Sequence, residues 1–314
     1  MYSLRLHMPN AFISLLVDNT TELSLTGKRN AIHSLVNEFI SVIIDNRYNK
    51  KTRSRWLKTS MRQHITGDFL FLDCDTIIAR DLSSLDTTKM NLAAVLNENT
   101  NLLDLARYNP DYLKNMQNED KKNGFSSTVN LNVYYNSGLI FCRDSTIGYD
   151  FYKEWHRLWL FCSERGIVTD QQSFNQTNYI MGNIISELDG IWNCQILADG
   201  GMRYFHKANI IHYYNSIIVE NPYLLGSNII LEKIKKNCCI DQDIKDMLAK
   251  PKDLFLPNSR MVLMDIPMHK FNKSIIYTVA KLLFYTKFGA AIDSILWLIY
   301  RKTIRPLRKK LSKK

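Results

Sequence analysis

At 314 residues and 46% apolar side chains, the chain is long enough to bury a full core and too apolar to be disordered throughout. Its formal charge of +11 is local: residues 301–314 hold eight cations and no acid, leaving +3 for the first 300 residues, which argues against a broad nucleic-acid surface. Six cysteines (Cys74, Cys142, Cys162, Cys194, Cys238 and Cys239) form no CxxC pair and no zinc spacing, which points to a reducing, cytosolic compartment.

Met1 to Asn10 is short and mixed, unlike a secretory signal, and Tyr2 to Met8 reads as the end of a helix stopped by Pro9-Asn10. Ala11 to Val17 is expected as a buried strand, Leu25 to Val36 as helical, and Phe39 to Ile44 as a further strand. Lys50 to His64 predicts a cationic helix with Trp56, Leu57, Met61 and the following Ile65 inward and most of its cations on a solvated face. Next, Phe69 to Leu72 forms an unbroken apolar run ending in Asp73-Cys74-Asp75, as a strand buried on both faces would end. Residues two apart on an extended chain point to one side, so Asp73 and Asp75 are expected to aim two carboxylates at one point. Hard oxygen ligands there suit Mn²⁺ or Mg²⁺; the plain alternative is an acidic turn.

Asn91 to Leu96 gives another strand, and the polar stretch Glu98 to Val129, with helical pieces around Leu102 to Ala106 and Tyr112 to Met116, is long enough to read as a functional lid. Val133 to Arg143 returns to the sheet through Asn136-Ser137-Gly138, residues that also favour a plain turn. Ile147 to Arg165 is an amphipathic helix with Phe151, Trp155, Leu158, Trp159 and Cys162 at core spacing. Asp170-Gln171-Gln172 opens the next helix, where an aspartate alone is an ordinary N-cap. Ile210 to Tyr214 is a strand centred on His212, and Asn228 to Pro257 is mixed helical material. Ser274 to Ile304 is a long apolar helical region whose longest uncharged runs, seven residues each, fall well below the roughly 18 that cross a membrane.

The order of apolar strand, Asp73-Cys74-Asp75, Thr76-Ile77-Ile78 and Asp81-Leu82-Ser83-Ser84-Leu85 resembles the metal-binding segment of GT-A glycosyltransferases, above all family eight, whose enzymes use nucleotide sugars and retain anomeric configuration. The resemblance covers roughly Tyr2 to Asn215. It implies an α/β fold with a Rossmann-like, mixed but mostly parallel central sheet flanked by helices, expected over residues 1–255; residues 256–314 read, from their own apolar and basic pattern, as an amphipathic helical extension. It implies Asp73, Asp75 and His212 as metal ligands, and Arg55, Asn136 and Asp170 on the donor sugar. The match at Arg55 needs a one-residue shift that leaves Lys58 as a competitor. Asp170 and Gln171 become candidates for the reactive face of the donor, while Gln172 stands where the family has an acid. Glu187 to Gln195 resembles the family's cleft-lining Trp-Asn segment. Asn215-Ser216-Ile217 and Asn221-Pro222-Tyr223 depart from the family's diphosphate-gripping residues. Nothing matches the earlier strand that holds the nucleotide base, so the chain reads as a fragment or as one started downstream.

The expectation is therefore a metal-dependent retaining glycosyltransferase moving a hexose-type sugar from a nucleotide diphosphate sugar, UDP-sugar first, to a glycan or lipid-linked acceptor, as in lipopolysaccharide or capsule synthesis. The C-terminal region is expected to hold it peripherally on the cytoplasmic face of an anionic membrane. The alternatives are a degenerate, non-catalytic membrane-associated binding protein, and a haloacid dehalogenase-type phosphatase, which would use Asp73 as nucleophile but lacks the glycine expected before Thr76.

Overall fold

The computed structural model describes residues 1–198, 200–213, 223–255, 274–284 and 286–304, with backbone alone at 108, 281–284 and 304. The chain divides into two compact units, Met1–Ala106 with Pro110–Met261, and Arg107–Asn109 with Val262–Lys314. In chain order the elements are α1 (Tyr2–His7), β1 (Ser14–Asp18), α2 (Asn19–Ser24), β2 (Glu38–Val42), α3 (Lys50–Ser60), β3 (Phe69–Leu72), β4 (Thr76–Ile78) and β5 (Leu92–Leu96). There follow α4 (Leu102–Tyr108), α5 (Pro110–Lys122), α6 (Ser127–Asn130), β6 (Tyr135–Cys142), α7 (Thr146–Ser163), α8 (Gln171–Ile180), β7 (Ile185–Leu188) and β8 (Cys194–Gln195). Last come α9 (Met202–Phe205), β9 (Ile210–His212), α10 (Asn228–Asn237), α11 (Gln242–Ala249), α12 (Ile275–Phe284) and α13 (Lys287–Ile299).

The fold is mixed α/β. A four-stranded sheet runs β3-β6-β5-β7, in which β3, β5 and β7 share one direction and β6 opposes them. As the inner strand paired on both edges, β6 is buried along its whole length, which its apolar run Leu139–Cys142 permits. A second sheet runs β4-β9-β8, and β1 pairs with β2 in a parallel ribbon. The backbone of Ile78 donates to Ser3 Oγ at 3.1 Å, so α1 covers the outer edge of β4.

The acidic segment joins the first two sheets. Asp73 N donates to Gly138 O (2.8 Å), prolonging the β3–β6 pairing by one residue, while Tyr213 N donates to Asp75 O (3.1 Å), prolonging β4–β9. Between them the chain turns, closed by Thr76 Oγ1 on Asp73 O at 2.7 Å. Asp73 and Asp75 thus converge from a turn pinned to two sheets, not from one extended strand as the sequence suggests.

The stripe of α7 packs inward as its spacing requires, with Phe151, Trp155, Trp159 and Cys162 fully buried. Trp155 meets Phe174 of α8 edge-on at 4.8 Å and Phe151 at 6.3 Å. Truncating such an aromatic to alanine costs about 3–5 kcal/mol. The stripe also reaches toward the site: Trp155 Nε1 donates to Asp170 O (3.0 Å) and Trp159 Nε1 to Val168 O (3.1 Å), fixing the backbone that enters α8.

Helix α3 and the turn after it overturn the expectation of a solvated cationic face over residues 50–64. Arg53, Lys58 and Arg62 are buried and Trp56 and Leu57 only half-buried. Each buried cation has found an acid distant in sequence. Arg53 lies 3.3 Å from Asp18, Arg62 lies 2.8 Å from Asp144, and Lys58 enters the site.

In the second unit, α12 and α13 are in contact and Thr286 Oγ1 caps α13 at Gly289 N (3.1 Å). Ile275, Ile276, Phe288, Ile295, Trp297 and Leu298 are exposed. Among the described residues no helix is long and apolar enough to cross a membrane.

Candidate active site and metal centre

Asp73 and Asp75 at the sheet junction meet His212, the last residue of β9 and the register partner of Thr76. One ligand atom from each of the three lies within 4.8 Å of the others. Two hard carboxylate oxygens and an imidazole nitrogen fit Mn²⁺ or Mg²⁺, ions that leave positions for further oxygen ligands. The carboxylates are about a quarter exposed and the imidazole is buried. Room for this convergence depends on Gly138: a Cβ there would come within 2.6 Å of His212 Cε1 and 3.0 Å of Asp73 Oδ2.

A chain of buried amides sets the histidine tautomer. Gly138 N donates to Asn136 Oδ1 (2.8 Å), and Asn193 Nδ2 donates to the same oxygen (2.9 Å), so Asn193 must turn its Oδ1 to His212 Nδ1 at 3.0 Å. An acceptor at Nδ1 requires a proton on Nδ1, which leaves Nε2, 3.1 Å from Asp75 Oδ1, as the ligating nitrogen. In the neutral imidazole, Nε2 and the Asp75 carboxylate both present lone pairs to the same space, an arrangement a cation between them would relieve.

Beside this group lies a cluster of opposite charges. Asp170, at the mouth of α8, forms no side-chain cap; its carboxylate accepts from Ser137 Oγ (2.8 Å), pairs with Lys58 Nζ (3.0 Å), and lies 2.8 Å from Arg55 Nε as an ion pair outside hydrogen-bonding angles. Burial pushes the Asp170 carboxyl up, but Lys58 and Arg55 outweigh it and hold the group down at about 2, so it stays ionised. Lys58 Nζ also lies 3.2 Å from Asp73 and donates to Ser137 Oγ at 3.2 Å. Asn136 Nδ2 donates to Gln171 Oε1 at 3.3 Å.

These groups line one cavity of about 330 Å³, with Arg55, Lys58, Asp73, Asp75, Asn136, Asp170, Gln171 and His212 all on its wall. The seven residues expected as metal ligands, donor-sugar contacts or catalytic candidates are therefore gathered there. Helix α5 also lines it, through Tyr112, Asn115, Met116 and Glu119 at helical spacing. Gln172 Nε2 donates to Glu119 Oε2 at 2.6 Å, so an acid stands beside Gln172 although none stands in its place.

Sequence reasoning left Lys58 as a mere competitor of Arg55, although their separation of three residues puts both on one helical face. It placed Trp192 and Asn193 in the cleft lining; instead Trp192 packs in the core with Val95 and Leu139, and Asn193 is fully buried behind His212. Asn215-Ser216-Ile217 and Asn221-Pro222 lie outside the described residues, as do residues 305–314 of the basic tail.

No family model and no curated protein matches the chain. Among solved structures, the galactosyltransferase LgtC in complex with donor and acceptor sugar analogs overlaps 82% of this chain and 91% of that one, at 12% identity and a TM-score of 0.44. The glycosyltransferase GlyE of Streptococcus pneumoniae TIGR4 overlaps 83% of this chain and 61% of that one, at 17% identity and 0.43. The bifunctional glycosyltransferase WbbM overlaps 77% of this chain, at 12% identity and 0.43, and this chain spans about half its length, 51%. At such identities and TM-scores, a functional reading must come from the side chains of the site.

Proposed function

We propose that this protein is a divalent-metal-dependent glycosyltransferase that takes a hexose-type sugar from a nucleotide diphosphate donor, UDP-sugar first among them, and passes it with retention of configuration to a glycan or lipid-linked acceptor. The observation that carries this reading is the meeting of Asp73, Asp75 and His212 on the wall of a cavity that also presents an ionised Asp170 between Arg55 and Lys58. The order of the motifs along the chain, which resembles glycosyltransferase family eight, supports the same reading.

Expelling a diphosphate from an anomeric carbon builds negative charge on the leaving group and positive charge on the sugar. A bound Mn²⁺ or Mg²⁺ would neutralise the leaving group as a Lewis acid. The chain's own residues supply the rest. Asp170 is kept anionic beside the sugar, Asn136 and Gln171 offer amide groups to sugar hydroxyls, and Arg55 orients Asp170, so fixed charge and positioning lower the barrier. A phosphatase of the haloacid dehalogenase type needs its second aspartate turned to the leaving oxygen, and the pairing of Asp75 with His212 weighs against it.

The second unit fits a peripheral membrane anchor. Exposed Ile275, Ile276, Phe288 and Trp297 would enter an anionic cytoplasmic surface, and the sequence beyond Tyr300 supplies eight cations to attract it. Incubation with a panel of nucleotide diphosphate sugars and Mn²⁺ tests the enzymatic reading. Metal-dependent release of nucleoside diphosphate from one donor is the expected result, and no release from any donor with any acceptor tried would contradict it.

A further inference from the structure

The cation-carboxylate cluster holds one residue that the proposed reaction does not use. Lys58 Nζ has its donors directed at Asp73, Asp170 and Ser137, and its side chain is 4% exposed. Its stem runs beside the Phe71 ring, with the ammonium 5.2 Å from the ring centre. A buried ammonium is retained only where acids compensate it, and here one acid is a metal-group carboxylate and the other is not. Asp73 is shared: as a metal ligand it has to serve the ion and Lys58 at once, so a divalent cation entering alone brings its charge close to a buried ammonium. The further acid on the cavity wall, Glu119, is hydrogen-bonded by Gln172. An anionic oxygen ligand arriving with the cation offsets the added positive charge.

We propose that Lys58 is a resident counter-ion that weakens binding of a divalent cation by itself and makes it bind together with a diphosphate, so that metal and donor load as a unit. The inference rests on the metal reading of Asp73, Asp75 and His212. Lys58 is a positioning residue in this scheme: it acts through Asp73 and Asp170 and need not touch the sugar. Because coupling is reciprocal, the factor by which diphosphate strengthens the cation is also the factor by which the cation strengthens diphosphate.

The test is Mn²⁺ titration, read by electron paramagnetic resonance of the free ion, with and without a nucleoside diphosphate. Wild type, Lys58→Met, Lys58→Arg and Asp75→Ala are compared, with thermal melting of each as the folding control. Lys58→Met keeps the length and apolar stem while removing the charge. It should bind Mn²⁺ alone roughly tenfold or more tightly than wild type, and gain less from the diphosphate. Lys58→Arg should behave as wild type, and Asp75→Ala should lose Mn²⁺ in both conditions. A folded Lys58→Met that binds Mn²⁺ alone no more tightly than wild type, while wild type still binds the Mn²⁺-diphosphate pair, would overturn the role of Lys58 and leave the metal site standing. Absence of Mn²⁺ binding in wild type and in both Lys58 variants, even with diphosphate, would overturn the metal reading and the inference with it.

Discussion

Oδ1 of Asn193 lies 3.0 Å from Nδ1 of His212, and this contact decides which imidazole nitrogen faces the acidic pair. Removing it leaves the ring free to change tautomer and to turn. Partners of this kind are worth about 10–100-fold in metal affinity, so Asn193→Ala should weaken Mn²⁺ binding by that order while His212 is intact. Titration of Mn²⁺ checks it. An unchanged affinity in a folded variant would mean that Asn193 only fills the core.

Asp170 and Asn136 are assigned to the sugar and not to the nucleotide. Asp170→Asn should accordingly lose turnover by about 100-fold or more, yet bind free nucleoside diphosphate nearly as wild type does. Asn136→Ala should lose turnover too, and should also weaken Mn²⁺ because Asn136 Oδ1 holds Asn193 behind His212. Parallel measurement of donor hydrolysis and of diphosphate affinity separates the two effects. Equal loss of both in Asp170→Asn would place Asp170 in the scaffold.

Much of this site is visible in the sequence, and the failures share one cause. The α7 stripe of Phe151, Trp155 and Trp159 announces itself because apolar burial follows the helical period, a local property. Asp73, Asp75 and His212 stand out through residue type and order. Lys58, Arg53 and Arg62 were hidden because a cation is buried only where a distant acid meets it. Arg53 waits on Asp18, 35 residues away, and Arg62 on Asp144. The same holds for Asn193, whose partners Asn136 and His212 come from two other strands. Asp170 does stand at the N-terminus of α8, but its carboxylate goes to Lys58, Arg55 and Ser137 instead of capping the helix, and such distant partners leave no mark in the local pattern.

His156 on α7 gives a prediction about acid stability. Its Nδ1 lies 2.8 Å from Thr59 Oγ1, and it packs between Trp56 and Trp159. Burial, with a smaller push from His64, lowers its pKa from 6.5 to about 4. The unfolded chain therefore binds the proton first on acidification, and stability falls as pH drops from about 6.5 towards 4. His156→Gln should flatten that part of the profile of melting temperature against pH. A slope identical to wild type would show that His156 does not contribute it.

Membrane attachment through the second unit is tested by point changes that leave the cavity residues untouched. Phe288 and Trp297 are 69% and 53% exposed. Inserting such side chains into the interface contributes about 1.5–3 kcal/mol each, and basic residues nearby about 1 kcal/mol each. Wild type should sediment with anionic vesicles at low salt, and the Phe288→Glu, Trp297→Glu double variant should stay largely in solution while hydrolysing donor at the same rate. Equal sedimentation of both proteins would contradict the anchor.

The central claim is that Asp73, Asp75 and His212 hold a divalent ion for a nucleotide diphosphate, and the most direct measurement is nucleoside diphosphate affinity by calorimetry with and without Mn²⁺. Asp81, an exposed turn residue that accepts from Ser83 N at 2.7 Å, serves as the acidic control. Wild type and Asp81→Ala should show the same Mn²⁺-dependent gain in affinity, His212→Ala a smaller one, and Asp75→Ala none. A folded Asp75→Ala whose Mn²⁺-dependent affinity equals that of wild type would contradict the account.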